Sequence, residues 1–524
     1  MATDLQIGIR RVTSLNPATG EVIREFEPAT EAEVIAAVAR ARAAQPAWHG
    51  LGVRHRTGIL DRFRGLVFER KSEIARLITA EAGKPQVEAL LTEVMVVLDG
   101  ARFYSENSYA FLRDRALPHA NPAMKSKSGR LAREPYGVIG IISPWNYPFS
   151  IPATETLAAL VTGNAVVLKP SEFTSLVALE LAGLLWRAGV PRDVMQVLVG
   201  DGSTGGALVN ANIDKLVFTG SVATGKRIAQ AAAARLLPVV LELGGKDPML
   251  VLEDADLDVT SSGAVWGAFM NAGQTCLSVE RCYVHRSLYP RFVEACVRKT
   301  AQLQVGNGMD PETDIGPLIN ERQLRNVETQ VEDARLRGAR VLAGGKRRKD
   351  LGPNFYTPTV LADVTHEMRV MREETFGPIL PIMPFETDDE AVRLANDSDY
   401  GLAASIWTQD RARGKALARR VQAGTVMIND AISYFGISEA PHGGVKASGI
   451  GRTHGIFGLE EMVRIKYVDA DRLPGMKKLW WYAYGQGFAR QMEGFVDLMF
   501  ARSWSRRIAG AMRSTGVLTR KGKI

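Results

Sequence analysis

Apolar positions follow two different spacings along this chain, and the two alternate over most of its length. Residues 30–106 repeat their apolar positions at the spacing of an α-helix. Beyond them, short and wholly apolar runs alternate with helical stretches. This pattern predicts strands that alternate with helices. We predict strands over 137–143, 164–168, 194–199, 216–219 and 248–252, and a helix over 175–188. This alternation predicts an α/β fold whose parallel sheets are covered on both faces.

A second series of the same kind and a polar excursion complete the pattern. Strands and helices alternate again from 246 to 431, so we expect two α/β lobes. Residues 113–131 are polar and basic and contain Pro118 and Pro122. Because prolines interrupt regular structure, this segment predicts an excursion such as a hairpin arm.

Composition places the chain among ordinary globular proteins. Of its 524 residues, 46 % are hydrophobic and 23 % charged, which excludes disordered and fibrous classes. Three cysteines are too few for a disulfide scaffold and suit a reducing compartment. Their spacings match no zinc site, so we expect no metal. No apolar run reaches the roughly 18 residues of a spanning helix, and the N-terminus lacks a secretory signal. We therefore expect a cytoplasmic location.

The positive charge is concentrated near the C-terminus. The chain carries 65 Lys and Arg against 57 Asp and Glu, a formal net charge of +8. Residues 468–524 hold eleven of those cations and four of the anions, a net of +7, which leaves +1 for the first 467 residues. A nearly neutral body argues against nucleic-acid binding.

Several residues carry candidate chemistry at the ends of predicted elements. Residues 218–225 follow a strand and open a helix, so their backbone N–H groups suit a phosphate; alternatively, the glycines only permit tight turns. Cys276 follows a helical stretch and a glycine, where a thiol is either a nucleophile or an inert apolar residue. Glu242 lies beside a Gly-Gly turn and is either a base or a partner of Lys246. Asn146 ends a strand and either donates to an oxyanion or shapes its turn.

Read together and in order, the motifs point to one family. The chain contains, in this order, Pro-Trp-Asn, Lys-Pro-Ser-Glu, Phe-Thr-Gly-Ser, Glu-Leu-Gly-Gly, Gly-Gln-Thr-Cys and Glu-Glu-Thr-Phe-Gly-Pro. Over roughly 17–467 it resembles the aldehyde dehydrogenase superfamily. The resemblance implies an aldehyde-dehydrogenase-like α/β fold and oxidation of an aldehyde with hydride transfer to NAD, with NADP as the alternative.

The resemblance also implies residue roles. Cys276 corresponds to the nucleophile, Glu242 to the base that activates water, and Asn146 to the oxyanion donor. Nine further residues correspond to cofactor-binding positions: Trp145, Lys169, Glu172, Gly220, Ser221, Gly225, Gly244, Glu374 and Phe376. Because the Glu172 carboxylate accepts from a ribose 2′-hydroxyl but repels a 2′-phosphate, we expect NAD rather than NADP.

The same resemblance implies a division into domains and an assembly. We expect a nucleotide-binding domain over 1–113 and 134–245 and a catalytic domain over 246–429. An oligomerisation arm would combine 114–133 with 430–467, and a basic, aromatic extension follows over 468–524. The resemblance implies a homodimer or a homotetramer.

The substrate and two other function classes stay open from the sequence. Thr154 lies where some succinate-semialdehyde dehydrogenases place an Arg, Glu155 would repel a carboxylate, and His442 replaces an aromatic residue of the family. We therefore expect an uncharged aldehyde, with succinate semialdehyde as the alternative. A binding protein without activity is disfavoured by the intact catalytic set. A CoA-acylating relative is disfavoured by Glu242, which such enzymes generally lack.

The extension carries an amphipathic pattern of its own. Phe488, Met492, Phe495 and Met499 recur at helical spacing, and basic residues follow them. Such a segment is typical of a helix that lies on a membrane surface. Alternatively, the aromatic stripe packs on the protein's own body or across the oligomer.

Overall fold

The computed structural model describes residues 11–121, 124–475, 477–478, 480–482 and 484–517. It divides into two compact units. The larger contains the residues up to Arg113 together with Arg133–Arg464, and the smaller contains Asp114–Ala132 together with the residues from Ile465 on.

The strands, in chain order, are β1 (Val12–Leu15), β2 (Val22–Phe26), β3 (Arg115–Leu117), β4 (Lys127–Pro135), β5 (Val138–Ile142), β6 (Ala165–Lys169), β7 (Met195–Val197), β8 (Lys215–Thr219), β9 (Val239–Glu242), β10 (Asp247–Val251), β11 (Val279–His285), β12 (Arg340–Ala343), β13 (Thr359–Ala362), β14 (Ile379–Phe385), β15 (Ala403–Trp407), β16 (Thr425–Ile428), β17 (Gly449–Ile450) and β18 (Val463–Asp471).

The α-helices, in chain order, are α1 (Glu31–Gly50), α2 (Val53–Glu69), α3 (Lys71–Ala82), α4 (Gln86–Ala89), α5 (Met95–Leu112), α6 (Ser150–Val161), α7 (Ser175–Ala188), α8 (Gly202–Asn210), α9 (Val222–Ala233), α10 (Leu257–Phe269), α11 (Tyr289–Thr300), α12 (Glu321–Leu336), α13 (Arg369–Arg372), α14 (Asp388–Asn396), α15 (Arg411–Ala418), α16 (Gly455–Glu461), α17 (Gln486–Phe500) and α18 (Trp504–Arg513). A π-helical turn, Leu90–Val94, joins α4 to α5.

Two parallel sheets, each with its own hydrophobic core, organise the larger unit. The first has the order β17-β9-β8-β5-β6-β7, with β5 to β9 parallel and β17 antiparallel at the edge. The second has the order β12-β13-β14-β11-β10-β15-β16, in which only β12 is antiparallel. Strands β5 and β6 are buried along their whole length, as covered parallel strands require. The predicted α/β fold with two lobes is confirmed.

Local signals fix where several helices begin and end. Thr30 and Glu33 form a reciprocal capping box at the start of α1. Helix α7 spans the residues that its apolar spacing predicts, and it ends at Gly189, whose φ of 112° favours glycine. Ser221 accepts a hydrogen bond from the backbone of Thr224 and so caps α9.

The smaller unit contains a sheet of order β18-β4-β3 and the helices α17 and α18. Residues 114–132 lie in it, as predicted for the arm, but 430–464 lie in the larger unit. The reason is tertiary pairing: Gly449 of β17 pairs with Glu242 of β9, and Leu459 and Met462 join the first core. The arm boundary is corrected accordingly. Within the described residues, no helix is long and apolar enough to cross a bilayer.

Candidate active site

A cavity of about 920 Å³ lies at the carboxyl ends of the first sheet's strands. Strand β5 lies between β6 and β8, so the strand order reverses at β5. Ligands of parallel α/β sheets bind outside the carboxyl ends of the strands at such a reversal. Ile142 at the end of β5 and Thr219 at the end of β8 both line the cavity. The fold therefore forms the cavity where this topology favours a ligand.

Cys276 lines the cavity from a turn with an uncommon backbone. Asn271 and Ala272 both have a left-handed φ of 54°, which costs about 1–2 kcal/mol for a residue with a Cβ. Side-chain contacts hold the turn, because Asn271 Nδ2 donates to the carbonyl oxygens of Asn146 and Gln274, each at 3.1 Å. The turn thus presents a half-buried thiol to the cavity.

The amide of Asn146 reaches the same turn from the first sheet. Asn146 follows β5, is 4 % exposed and lines the cavity. Its Nδ2 donates to the carbonyl oxygen of Gln274 at 3.1 Å, two residues before Cys276. Beside it, the hydroxyls of Tyr147 and Thr275 are 2.8 Å apart. A primary amide carries two N–H groups, and the bond to Gln274 uses one of them.

Glu242 ends β9 as a buried carboxyl group that lines the same cavity. It is 3 % exposed, and neither of its oxygens accepts a hydrogen bond from the part of the chain that the structure describes. Lys246, its alternative partner from the sequence, instead binds Glu280 and donates to Thr375 Oγ1 at 3.1 Å. Glu242 Oε2 lies 3.7 Å from His442 Nε2. The Glu242 carboxyl is therefore not held by Lys246.

Burial shifts the titration of both reactive groups. It raises the pKa of the Cys276 thiol, and the negative charges of Asp247, Glu374 and Glu242 raise that pKa further. Burial also raises the pKa of Glu242 well above its usual range, and the neighbouring Glu155 adds to this shift. Each group must lose its proton before it can act as a nucleophile or a base.

Aromatic and neutral side chains form the cavity wall next to Glu242. The ring of Phe435 lies 5.1 Å from that of His442 and 4.6 Å from that of His454, measured between centroids. Burial lowers the pKa of His442 to about 3 and that of His454 to about 4, so both are neutral at pH 7. The Tyr434 hydroxyl hydrogen-bonds His442 Nδ1 at 2.9 Å and fixes that ring.

A second part of the cavity has the groups that a dinucleotide needs. Lys169 ends β6, and its Nζ lies 3.7 Å from Glu172 Oε2. Ser221 brings the N-terminus of α9 to the cavity, where backbone N–H groups attract phosphate. Gly206 of α8 also lines the cavity, and a Cβ there would meet nothing within 4 Å. These residues leave room for a flat, polar ligand.

Glu374 approaches the cavity from the second sheet and rests on the Gly244–Gly245 turn. Its Oε1 accepts a hydrogen bond from the Gly245 backbone at 3.0 Å. A Cβ on Gly244 would lie 2.5 Å from Glu374 Oε2, so this close approach requires glycine. Burial, with the charge of Glu280, raises the pKa of Glu374 to about 8. The carboxyl thus has a fixed position in the cavity wall.

The loop that carries Glu374 is held by Glu280. The Glu280 carboxylate accepts hydrogen bonds from the backbone of Thr375 at 3.0 Å and of Phe376 at 2.9 Å. Phe376 in turn packs edge-to-face on Trp145, with ring centroids 5.4 Å apart. Side chains from the two sheets therefore meet at this end of the cavity.

Comparison with known proteins identifies the family. The model of the aldehyde dehydrogenase family matches residues 6–468, which is most of the chain. The chain belongs to the aldehyde dehydrogenase family. The predicted class, an NAD(P)-dependent aldehyde dehydrogenase, is confirmed.

Individual relatives of this aldehyde dehydrogenase carry different names. A protein of Methylomonas sp named 4,4'-diapolycopene aldehyde oxidase is 39 % identical, over 93 % of this chain and 91 % of the relative. A putative succinate-semialdehyde dehydrogenase [NADP(+)] of Mycolicibacterium smegmatis is 40 % identical, over 87 % of this chain and 88 % of the relative. The NAD⁺ complex of an aldehyde dehydrogenase from Bacillus cereus has a TM-score of 0.85 at 37 % identity, covering 88 % of this chain and 93 % of that one.

The structure gathers nearly all of the predicted site residues of this aldehyde dehydrogenase around one cavity. Gly225 is the exception, since it does not line the cavity. A Cβ there would lie 2.5 Å from the side chain of Leu243, so Gly225 lets α9 pack closely. Sequence reasoning missed Glu280, Phe435 and His454. The only local signal for Glu280 is its position four residues after Cys276. The individual residue roles, the oligomeric state and the cytoplasmic location stay predictions.

Proposed function

We propose that this aldehyde dehydrogenase oxidises an uncharged aldehyde through an acyl-enzyme on Cys276, with NAD as the preferred hydride acceptor. One observation supports this most strongly. The Cys276 thiol, the Asn146 amide and the Glu242 carboxyl, which accepts no hydrogen bond from the described residues, line one cavity, and Glu374 enters it from the second sheet. A nucleophile, an oxyanion donor and a base thus share one space.

In the first step Glu242 accepts the proton of the Cys276 thiol and passes it to solvent, and Sγ forms a bond to the aldehyde carbon. The carbonyl oxygen takes the electron pair and becomes an oxyanion. Asn146 Nδ2 and the backbone N–H of Cys276 donate to it, and one such donor typically contributes roughly 10²–10³ in rate. Bound NAD would supply the hydride acceptor: as the oxyanion's electron pair re-forms the carbonyl, the hydride would leave that carbon and a thioester would remain on Cys276.

The second step hydrolyses this thioester. Glu242 removes a proton from a water molecule, and the water oxygen attacks the acyl carbon. The carbon–sulfur bond breaks, the carboxylic acid leaves and the thiol is restored. The balance is one aldehyde, one water and one NAD⁺ to one acid, one NADH and one proton. Glu242 also disfavours a CoA-acylating enzyme, in which a thiol rather than water takes the acyl group.

The residues beside α9 suit the dinucleotide. Lys169 and Glu172 would bind the adenosine ribose hydroxyls, the α9 N-terminus the pyrophosphate, and Glu374 the nicotinamide ribose. A carboxylate at 172 repels a 2′-phosphate, although relatives such as the enzyme of M. smegmatis are named for NADP(+).

We expect a lower KM for NAD than for NADP in initial-rate measurements. Glu172→Ala should lower the ratio of the KM for NADP to the KM for NAD by roughly tenfold, because it removes the repulsion between the carboxylate and the 2′-phosphate. Asp193→Ala, a carboxylate that does not line the cavity, serves as the control and should leave the ratio unchanged. A lower KM for NADP in the unmodified enzyme would refute the preference.

An uncharged substrate follows from the side chains near Glu242. The cavity wall there is formed by residues that carry no positive charge: Ile151 and Thr154 of α6, Phe435 and the neutral His442. Thr154 donates to the backbone of Ser150 at 2.9 Å and so takes part in its own helix. Cations that line the cavity lie on β6, α9 and α12: Lys169, Arg227 and Arg322. A carboxylate on the substrate would have no partner on α6.

Succinate-semialdehyde oxidation is the second candidate, because relatives with that name are 40–41 % identical. A panel of aldehydes separates the two candidates. We expect kcat/KM for a medium-chain alkanal or benzaldehyde to exceed that for succinate semialdehyde by at least about tenfold. Above pH 8, where Glu155 is mostly charged, the isosteric Glu155→Gln should reduce this gap, because it removes a negative charge that lines the cavity. A higher kcat/KM for succinate semialdehyde in the unmodified enzyme would favour the second candidate.

Self-assembly through the arm is supported by an exposed edge. Strand β18 lies at the edge of its sheet, with Ile465 71 % and Val468 47 % exposed. An exposed edge strand can pair with a partner's sheet. We expect a dimer or tetramer by sedimentation velocity at micromolar concentration, and a stable monomer there would contradict the proposed assembly.

A further inference from the structure

Helices α17 and α18, here called the helical pair, contact each other through their backbones. A Cβ on Gly510 would lie 2.6 Å from the carbonyl oxygen of Gly494. Asp497 joins the helices through ion pairs with Arg506 at 3.1 Å and with Arg513. In these two helices, which are described in full, only Gly494 and Gly510 are buried. The two backbones therefore approach each other closely at these glycines.

Five large apolar side chains of the helical pair are exposed, whereas the predicted stripe of Phe488, Met492, Phe495 and Met499 is half-buried. Trp504, Ile508 and Met512 recur every four residues on α18, hence on one face, and are 78 %, 56 % and 69 % exposed. Val496 and Phe500 are 51 % and 69 % exposed on α17. The exposed face needs a partner that covers apolar side chains.

Cations are concentrated on and beside the helical pair. Arg506 and Arg513 lie on the side of α18 opposite Trp504, and their side chains are 72 % and 49 % exposed. Arg502 precedes α18, and Arg507 lies within it. With a net charge of +7 over 468–524, two copies of the segment repel each other, whereas an anionic surface attracts it.

We propose that the helical pair docks on a membrane surface that carries anionic phospholipids, with Trp504, Ile508 and Met512 inserted among the headgroups. An apolar face with an aromatic residue and a basic flank is the pattern of helices that lie in this interface. In this proposal neither helix crosses the bilayer, which agrees with the finding that no helix of the described residues is long and apolar enough to do so. Docking would bring the enzyme to aldehydes that partition into lipid, a consequence that rests on the proposed function.

The comparison with one relative supports this link to lipid-soluble aldehydes. The match to the Methylomonas protein covers 93 % of this chain. The 467 residues before the extension are about 89 % of the 524, so that match enters the extension. This relative, which matches part of the extension, is named for a diapolycopene aldehyde, and that name mentions no carboxylic acid.

Co-sedimentation of the full chain with vesicles tests the proposal. The probes are vesicles of phosphatidylcholine alone and of phosphatidylcholine with one third phosphatidylserine. We expect binding to the anionic vesicles that weakens with added salt, and little binding to the zwitterionic ones. The variant Trp504→Ser/Ile508→Ser/Met512→Ser should bind anionic vesicles at least about tenfold more weakly. Dehydrogenase activity on a short, water-soluble aldehyde should stay unchanged in this variant.

A matched variant controls for the loss of exposed apolar area elsewhere. Ile35→Ser/Val87→Ser/Leu336→Ser removes three side chains of 56 %, 59 % and 72 % exposure from the larger unit and should bind vesicles like the unmodified chain. Equal vesicle binding by both triple variants, or none by the full chain at low salt, would overturn the proposal. A smaller oligomer in the Trp504 variant without vesicles would also overturn it, in favour of a contact between copies. Vesicle binding needs no turnover, so its failure is distinguishable from a failure of the proposed chemistry.

Discussion

Replacing Cys276 with Ala is expected to lower aldehyde oxidation by at least roughly 10⁴-fold while nucleotide binding survives. Sγ of Cys276 is the atom that would bond to the substrate, and the chain has no substitute for it. Cys282 and Cys296 are each fully buried and do not line the cavity. The rate is followed by the absorbance of the reduced nicotinamide, and nucleotide binding by calorimetry.

The buried Cys282 provides the matched control for this substitution. Cys282→Ala removes a thiol of β11 that belongs to the second core and does not line the cavity, so turnover per folded molecule should stay within about threefold of the unmodified enzyme. Residual activity of Cys276→Ala above about one per cent, or an equal loss in both variants, would contradict a nucleophilic role for Cys276.

Glu242→Gln is expected to slow thioester hydrolysis by roughly 10²–10⁴-fold, so that the acyl-enzyme accumulates. Gln is isosteric, and because neither Glu242 oxygen accepts a hydrogen bond from the described residues, the fold loses no contact. In the unmodified enzyme, hydrolysis should speed up as pH rises. Burial raises the Glu242 pKa, so the active carboxylate form grows as pH passes upward through that value. The Gln variant should lose this dependence.

Glu155→Gln is the companion variant for this measurement. Glu155 is a buried carboxyl that lines the same cavity, and burial raises its pKa to about 8. Its negative charge contributes to the raised Glu242 pKa. Its removal should therefore shift the pH profile of hydrolysis to lower pH while turnover persists. Full turnover in Glu242→Gln across the pH range would show that another group activates water.

Elements with strong local signals were predictable, whereas long-range pairing was not. Helix α7 matches its predicted bounds because its apolar spacing and Gly189 both lie within one short stretch. The position of 430–464 depends on Gly449 pairing with Glu242, more than 200 residues earlier in the chain. No local pattern encodes that pairing, so the sequence alone does not predict that these residues join the larger unit.

The same distinction applies to the site. The motifs around Cys276, Asn146 and Glu242 identified side chains that the fold brings to one cavity. Contacts between distant elements were not predictable from single residues. Lys246 binds Glu280 rather than Glu242, and Gly225 packs against Leu243 rather than facing the cavity. Such choices depend on which side chains the two sheets bring together.

Trapping the acyl group is the most direct test of the proposed chemistry. Glu242→Gln would be mixed with a medium-chain alkanal and NAD, quenched within the first turnover, digested and analysed by mass spectrometry. We predict a burst of about one reduced nicotinamide per subunit. The peptide that contains Cys276 should gain the mass of the aldehyde less two hydrogens. Absence of the burst, or an adduct on the peptide of Cys282 or Cys296 instead, would contradict the account.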